Sequence, residues 1–152
     1  MNFEGKIDLE VCIEDAWDFL VDINKFSTCL PGIQEVKQID DTTFEGTLAA
    51  TVGPISGTFH FRSTILESQP PEKMVVRTEG TDSVTKSKVN AHMMLNLCRA
   101  SVDSTELIYK ADVDIDGRLA ILGDMILRAT ATLVLQEFAR RLNQGLLDRP
   151  VT

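Results

Sequence analysis

Histidine and cysteine are scarce in this 152-residue sequence, which has two histidines and three cysteines. The cysteines, Cys12, Cys29 and Cys98, lie far apart and form no C-x-x-C pair. Metal sites built from histidine and cysteine need clusters of such side chains. The sequence therefore offers no metal-binding spacing, and we expect three free thiols in a reducing cytoplasm.

Long apolar runs and a surplus of positive charge are also absent. The most apolar stretch, residues 119–135, is interrupted by Asp124 and Arg128, which argues against a membrane span. Residues 1–10 alternate apolar and charged side chains, unlike a signal peptide. The net charge of −8 argues against nucleic acid as a partner and against purely electrostatic docking on anionic lipid. We therefore expect at most a transient membrane contact, apolar or made through a partner.

The composition is that of an ordinary globular protein, with 43% hydrophobic and 25% charged residues. A chain of this length fits one domain and can bury a substantial core. No linker, repeat or low-complexity segment interrupts it. We predict a single domain over residues 1–147 and a short C-terminal tail at residues 148–152.

Alternating apolar and polar residues predict seven β-strands. The first extends from Phe3 to Ile13, and two short helices follow near residues 14–22 and 24–29. Ala16, Trp17, Leu20 and Val21 form the predicted buried face of the first helix. The other strands are predicted at residues 33–40, 42–52, 55–67, 73–80, 87–99 and 105–115.

The last thirty or so residues, 118–147, have the pattern of one long helix of roughly 45 Å. Asp116 lies where a helix N-cap is expected, and Gly145 lies where a helix would end. A helix of this length needs a sheet to cover its apolar face. The predicted apolar stripe, at three- and four-residue steps, consists of Leu119, Leu122, Ile126, Ala129 and Leu133.

These elements predict an α+β domain in which a curled, seven-stranded antiparallel sheet wraps round the C-terminal helix. Strand parity then separates an inner face from an outer face. His60 and His92 fall on the outer face, and the interior is predicted to be apolar apart from the Tyr109 phenol, with Arg99 at a strand end. Since acid–base catalysis needs converging titratable groups, this pattern argues against an enzyme.

The Gly53-Pro54 pair between the third and fourth predicted strands is typical of a tight turn. Proline presets its own φ, and glycine tolerates a positive φ. We predict that this turn sets the register of the two strands and does not bind a ligand.

The order of the elements resembles the helix-grip fold of the START and polyketide-cyclase-like (SRPBCC) superfamily. Three stretches carry a closer resemblance within this superfamily: residues 29–32 (CLPG), 52–59 (VGPISGTF) and 117–123 (GRLAILG). Through them, residues 3–147 resemble the family of the carbon monoxide dehydrogenase G subunit. The polar loop at residues 81–86 departs from the glycine-rich loop that is common in the family.

The resemblance implies a non-catalytic accessory protein without a covalent cofactor. Family members carry a quinone or similar apolar molecule and help recruit molybdenum-containing dehydrogenases (molybdenum hydroxylase complexes). A hydrophobic-ligand carrier for such an enzyme is therefore the first hypothesis. An interaction or maturation factor with a filled core is the second, and a polyketide-cyclase-like enzyme is the third. The sequence does not identify the oligomeric state.

A sheet curled on a helix either packs solidly or encloses a pocket, and the pattern leaves both open. Small residues at inner positions, Gly46, Ala50, Gly57, Ala91 and Ala111, favour a pocket. Tyr109 is predicted to donate to a ligand carbonyl or, alternatively, to be a core phenol satisfied by backbone. The predicted liners are Phe26, Leu30, Phe59, Phe61, Met74, Val76, Met93, Leu95, Tyr109, Leu122, Met125 and Ile126.

Overall fold

The sheet of the computed structural model contains seven antiparallel strands in the order β1-β7-β6-β5-β4-β3-β2. The model describes residues 1–82, 84 and 86–147, so the predicted tail at 148–152 lies outside the described residues. The predicted fold class is confirmed. The strands are β1 (Asn2–Leu9), β2 (Ile33–Gln38), β3 (Thr43–Val52), β4 (Ile55–Gln69), β5 (Lys73–Asp82), β6 (Ser87–Ser101) and β7 (Ser104–Asp116).

The helices lie between β1 and β2 and after β7. Helix α1 (Ile13–Val21) is followed by the short α2 (Ile23–Phe26) and a 3-10 helix at Ser27–Cys29. After β7 come a 3-10 helix at Arg118–Leu122 and the long α3 (Asp124–Leu147). None of the described helices is long and apolar enough to cross a membrane.

Strand β1 is shorter than predicted, because it ends at Leu9 and Ile13 already begins α1. Ile13 is buried in the core, so it continues the apolar periodicity of α1 and not that of the strand. The buried face of α1 also contains Phe19. The prediction for Val21 was wrong, since its side chain is 45% exposed.

The long terminal helix is broken at Gly123. Gly117 and Gly123 both have φ +88°, a value that L side chains rarely adopt, so they bracket the Arg118–Leu122 3-10 helix. The predicted caps were wrong: Asp116 is the last residue of β7, and Gly145 lies inside α3. Gly145 allows close packing, because a Cβ there would lie 2.8 Å from Cζ of Phe19.

The break also changes which face of α3 is buried. Ile126 and Leu133, two members of the predicted stripe, are 37% and 67% exposed, and Ala129 is exposed as well. Because residue 123 is not helical, α3 begins with a new orientation of its faces. The apolar periodicity counted from Leu119 therefore does not continue into α3. The residues of α3 that contact the core are Leu127, Phe138, Ala139, Leu142 and Leu146.

Two apolar clusters hold the sheet and helices together. The larger one joins the ends of β1 and β7 to α1 and to the C-terminal half of α3. The smaller one forms where the Arg118–Leu122 3-10 helix meets the β3–β4 hairpin. Its buried residues are Val52, Phe59 and Leu119. Helix α3 therefore rests on the sheet near both of its ends.

The burial pattern confirms the predicted strand parity in the central strands. In β7, the polar side chains of Lys110, Asp112 and Asp114 are exposed, and the intervening apolar residues are at least partly buried. His60 and His92 are exposed, as predicted. Arg99 is also exposed and pairs with Glu14, so it does not contribute to the interior.

The Gly53-Pro54 pair forms the predicted two-residue turn. Val52 pairs with Ile55 across it, and the register continues without a shift to Thr43 and Thr64. Gly53 has φ +58°, which the first position of a type II′ turn requires. The predicted tight turn between these two strands is confirmed, and its role in setting the register and the absence of a ligand there stay predictions.

Replacing Gly53 by valine is expected to lower the free energy of unfolding by more than about 1 kcal/mol, since a β-branched residue is strained at positive φ. Urea denaturation measures the effect. Gly80→Ala is the matched control, because Gly80 has no positive φ and a Cβ there meets nothing closer than 3.9 Å. Equal stability of Gly53→Val and the wild type would contradict the turn assignment.

Candidate functional site

Between the two apolar clusters, the inner face of the sheet is only partly covered. Several apolar inner side chains belong to neither cluster, among them Phe3 and Phe44, and we call six others the middle band. Each is intermediate in exposure. The middle band consists of Leu48, Phe61, Ala91, Met93, Ala111 and Val113.

Helix α3 faces this part of the sheet with small side chains. Ala131 lies one turn after Leu127 and seven residues before Phe138, so all three share the face that contacts the core. Ala131 and the neighbouring Thr130 are intermediate in exposure. Since Ala91 and Ala111 lie on the sheet side, short side chains occur on both walls. The region between α3 and this part of the sheet is the candidate site.

Glycine contributes less free space than the sequence pattern suggested. A Cβ at Gly46 would lie 2.2 Å from the Glu35 carbonyl oxygen and 2.8 Å from Cζ of Phe61, and one at Gly57 would lie 2.2 Å from Oδ2 of Asp82. These two glycines therefore make room for neighbouring protein atoms and leave no empty volume.

Tyr109 lies across Gly5, its partner in the β1–β7 register. A Cβ at Gly5 would lie 2.3 Å from the phenol oxygen, so the ring folds over the β1 edge. The ring packs against the larger cluster. Its hydroxyl has no hydrogen-bond partner among the described residues, which argues against the alternative of a phenol satisfied by backbone.

A polar pair lies on the inner face at the centre of the sheet. The hydroxyls of Ser63 and Thr78 are 2.7 Å apart and are linked by a hydrogen bond across β4 and β5. Ser63 is 4% exposed, and Thr78 is partly exposed. Sequence reasoning missed both residues because only apolar members were sought at inner positions, although their parity is that of Phe61 and Val76.

Asp82 is a second inner polar residue that the sequence reasoning missed. The prediction placed it in a polar loop at residues 81–86, but β5 continues to Asp82, whose side chain is 3% exposed. Its Oδ1 accepts a hydrogen bond from the Val84 N–H at 2.9 Å. Ser83 and Thr85 of that loop lie outside the described residues. The interior is thus less purely apolar than expected.

The predicted liners are distributed over the clusters, the middle band and the surface. Phe61 and Met93 belong to the middle band, while Phe59 and Met74 are buried inside the clusters. Met125 is 84% exposed, and Ile126 is 37% exposed and lies beside Gly53 of the β3–β4 turn, so neither is enclosed between α3 and the sheet. The remaining predicted liners are partly buried: Phe26, Leu30, Val76, Leu95, Tyr109 and Leu122.

The outer face of the sheet has a different chemistry. An open depression of about 490 Å³ there is lined by charged and polar residues of β2–β5, by His60 and also by Val36 and Phe61. Arg62 and Glu45, both in its wall, are 3.5 Å apart and form an ion pair.

Titratable groups give no sign of a catalytic centre in the described part of the chain. No group of three or more His, Cys, Asp or Glu residues there could hold a metal ion. All three cysteines are free, and burial raises the pKa of the Cys29 thiol. Hydrogen bonds from Arg140 and Arg141 lower the pKa of Glu137 to about 2, which reflects ion pairs along α3.

Comparison with solved structures shows the same fold in several proteins. A conserved protein from Geobacillus kaustophilus is 21% identical with a TM-score of 0.90, over 97% of this chain and 95% of that chain. A START superfamily protein from Mycobacterium smegmatis is 13% identical with a TM-score of 0.73, over 96% and 97%. The Zhui aromatase/cyclase from Streptomyces sp. R1128 is 13% identical with a TM-score of 0.65, over 97% and 91%.

Sequence comparison gives the family. No curated protein matches the chain. The family model for the G subunit of carbon monoxide dehydrogenase (CoxG) matches residues 5–147, which include most of β1, every later strand and all of α3. The protein therefore belongs to the CoxG family, that of the carbon monoxide dehydrogenase G subunit.

Proposed function

We propose that this protein is a non-catalytic accessory protein that binds a hydrophobic ligand between α3 and the inner face of the sheet. The ligand is a quinone or a similar apolar molecule. The protein carries it for, or helps recruit, a molybdenum-containing dehydrogenase of the carbon monoxide dehydrogenase type. Membership of the CoxG family and the START-like fold support the hydrophobic-ligand-binding role.

One observation carries the proposal: the middle band is apolar, points towards α3 and is only partly buried. A core that needed no ligand would be close-packed at this position, because empty apolar space costs stability. Here two packed clusters flank side chains that neither cluster covers. An apolar ligand would bury them and supply the missing contacts.

The non-catalytic part of the proposal is supported by the composition of this interior. Asp82 is the one carboxylate that the structure buries among the described inner residues, and both histidines are exposed on the outer face. Acid–base catalysis generally uses a positioned proton donor or acceptor beside the reacting atoms. The middle band itself offers none.

A thermal-shift titration tests the proposal. Menaquinone, ubiquinone analogues and fatty acids are titrated against the purified protein, and a ligand at a hundred times its Kd stabilises the native state by about 2.7 kcal/mol. For a domain of this size, that corresponds to a rise in Tm of roughly 5–10 °C. Mass spectrometry of an organic extract of the protein would identify a co-purified ligand.

The Ala91→Phe variant tests whether the ligand binds at the middle band. Ala91 lies in the middle of the band, with Thr78 and Val113 as its cross-strand neighbours. A phenyl ring there would occupy the proposed site, so the shift in Tm should disappear while the protein stays folded. Ala49→Phe is the matched control, because Ala49 is exposed on the outer face of β3 and the shift should be retained.

The interaction-factor alternative makes the opposite prediction. If the middle band is closed by packing in solution or by a protein partner, no apolar molecule will raise the Tm of the wild type. That result would reject the carrier function. A shift that survives Ala91→Phe would instead reject the proposed location.

A further inference from the structure

We propose that the Ser63–Thr78 hydroxyl pair is a hydrogen-bond anchor for a carbonyl oxygen of the bound ligand. The interior would then prefer a neutral apolar molecule with a carbonyl group to a plain hydrocarbon or a carboxylate. This inference rests on the proposed ligand-binding function and specifies the chemistry of its ligand.

The pair lies in the central row of the inner face. Successive cross-strand partners from β3 to β7 form this row, and all five have inner parity. The hydroxyls of Ser63 and Thr78 are thus enclosed by apolar neighbours on both sides. The row consists of Phe44, Ser63, Thr78, Ala91 and Val113.

The Ser63–Thr78 pair has one hydroxyl hydrogen that the hydrogen bond within the pair does not use. Two hydroxyl groups carry two hydrogens, and the 2.7 Å bond between them uses one. Neither hydroxyl has a second hydrogen-bond partner among the described residues. The remaining hydrogen has no acceptor among the described protein groups. A ligand that excludes water from the partly exposed Thr78 hydroxyl has to supply one, because an unpaired donor in apolar surroundings is unfavourable.

The environment indicates where that acceptor lies. Ser63 is 4% exposed, whereas Thr78 is partly exposed and has the small Ala91 as its neighbour on β6. If Ser63 donates to Thr78, the free hydrogen is on the Thr78 hydroxyl, beside the methyl group of Ala91. A ligand that lies over Ala91 can reach it.

The charges near the Ser63–Thr78 pair favour a carbonyl group over a carboxylate as the acceptor. The central row contains no lysine or arginine to neutralise an anion, and Arg128 of α3, which lies over the Phe3 ring, already forms an ion pair with Asp124. Asp82, two inner positions further along β5, adds a carboxylate to the same face. A neutral carbonyl oxygen accepts the spare hydrogen without the desolvation cost of an anion, which favours quinone-like molecules over fatty acids.

The test compares ligands that differ in their carbonyl groups. The Kd of 2-methyl-1,4-naphthoquinone and that of 2-methylnaphthalene are measured by equilibrium dialysis for the wild type and for Ser63→Ala/Thr78→Val. The wild type should prefer the quinone. Since one neutral hydrogen bond is lost, the ratio of the two Kd values should fall roughly five- to tenfold in the double variant.

Ser56→Ala/Thr81→Val is the matched control, with the same two changes in the same two strands on the exposed outer face. It should keep the wild-type ratio. If the double variant does not fold, Thr78→Val alone, which preserves the shape of the side chain, should lower the ratio in the same direction.

Two outcomes would overturn the inference in distinguishable ways. If the double variant binds both compounds and keeps the wild-type ratio, the anchor is wrong and the hydrophobic-ligand function stands. If the wild type binds neither these compounds nor the quinones and fatty acids of the thermal-shift series, the proposed function fails together with the anchor.

Discussion

Leu142→Ala is expected to lower the free energy of unfolding by about 2–5 kcal/mol, the range for truncating a leucine in a packed core. Leu142 is 0% exposed and is one of the largest fully buried side chains of the protein. It fixes the C-terminal half of α3 to the larger cluster, which contains residues of β1, β7 and α1. Truncation would leave a cavity at the junction of these elements.

Leu133→Ala is the matched control in the same helix. Leu133 is 67% exposed, so the same substitution removes little buried surface, and the change should stay within about 0.5 kcal/mol. Urea denaturation with an unchanged m-value compares the two variants. If the two substitutions lower the free energy of unfolding equally, or if Leu133→Ala lowers it more, the buried face of α3 is assigned incorrectly.

Leu133 and Leu142 also show how much of α3 could be predicted from sequence periodicity. The apolar pattern predicted a long terminal helix, and α3 is one. The stripe counted from Leu119 nevertheless selected Leu133 and omitted Leu142. Periodicity gives a buried face only while the helix is continuous, and no local pattern distinguishes a glycine within a helix from one that breaks it.

The strand predictions were more accurate than the helix prediction, because an error in where a strand ends does not change which face of the sheet a side chain lies on. Antiparallel strands with one covered face alternate strictly, so His60 and His92 were correctly placed outside. Shifting an end by two residues changes no side chain from one face to the other. The β1 error has a separate cause, since Ile13 suits the strand and the helix patterns equally well.

The polar residues of the interior were harder to predict. Ser63 and Thr78 have inner parity, but serine and threonine on a strand are usually assigned to the solvent face. Their inner position becomes meaningful only through the 2.7 Å bond and the apolar row around it. Asp82 was missed because the end of β5 was placed too early.

Family resemblance and residue pattern contributed different parts of the hypothesis. The three motifs indicated the family, and the family model confirms it over residues 5–147. They indicated no position for a ligand. The location that we propose, between the two clusters, is inferred from which inner side chains remain partly exposed, and it depends on packing that sequence does not specify.

Gly117→Ala is expected to destabilise the protein by at least about 2 kcal/mol, for two physical reasons. Gly117 has φ +88° and ψ −153°, a region that is essentially restricted to glycine and costs other residues about 1–3 kcal/mol. In addition, a Cβ at this position would lie 2.1 Å from the Lys86 carbonyl oxygen and 2.8 Å from Cα of Ser87. Both atoms belong to backbone, so neither can move aside easily.

Gly123→Ala separates the two contributions. Gly123 has the same φ of +88° and a ψ of 163°, but a Cβ there meets no atom within 4 Å. This variant should show the conformational cost of about 1–3 kcal/mol alone. Gly117→Ala should be the less stable variant, because it adds the clash with the Lys86–Ser87 backbone at the start of β6. Urea denaturation of the two variants side by side measures the difference. Equal stability would mean that Gly117 does not pack against that backbone, and the placement of the Arg118–Leu122 helix over the smaller cluster would then be wrong.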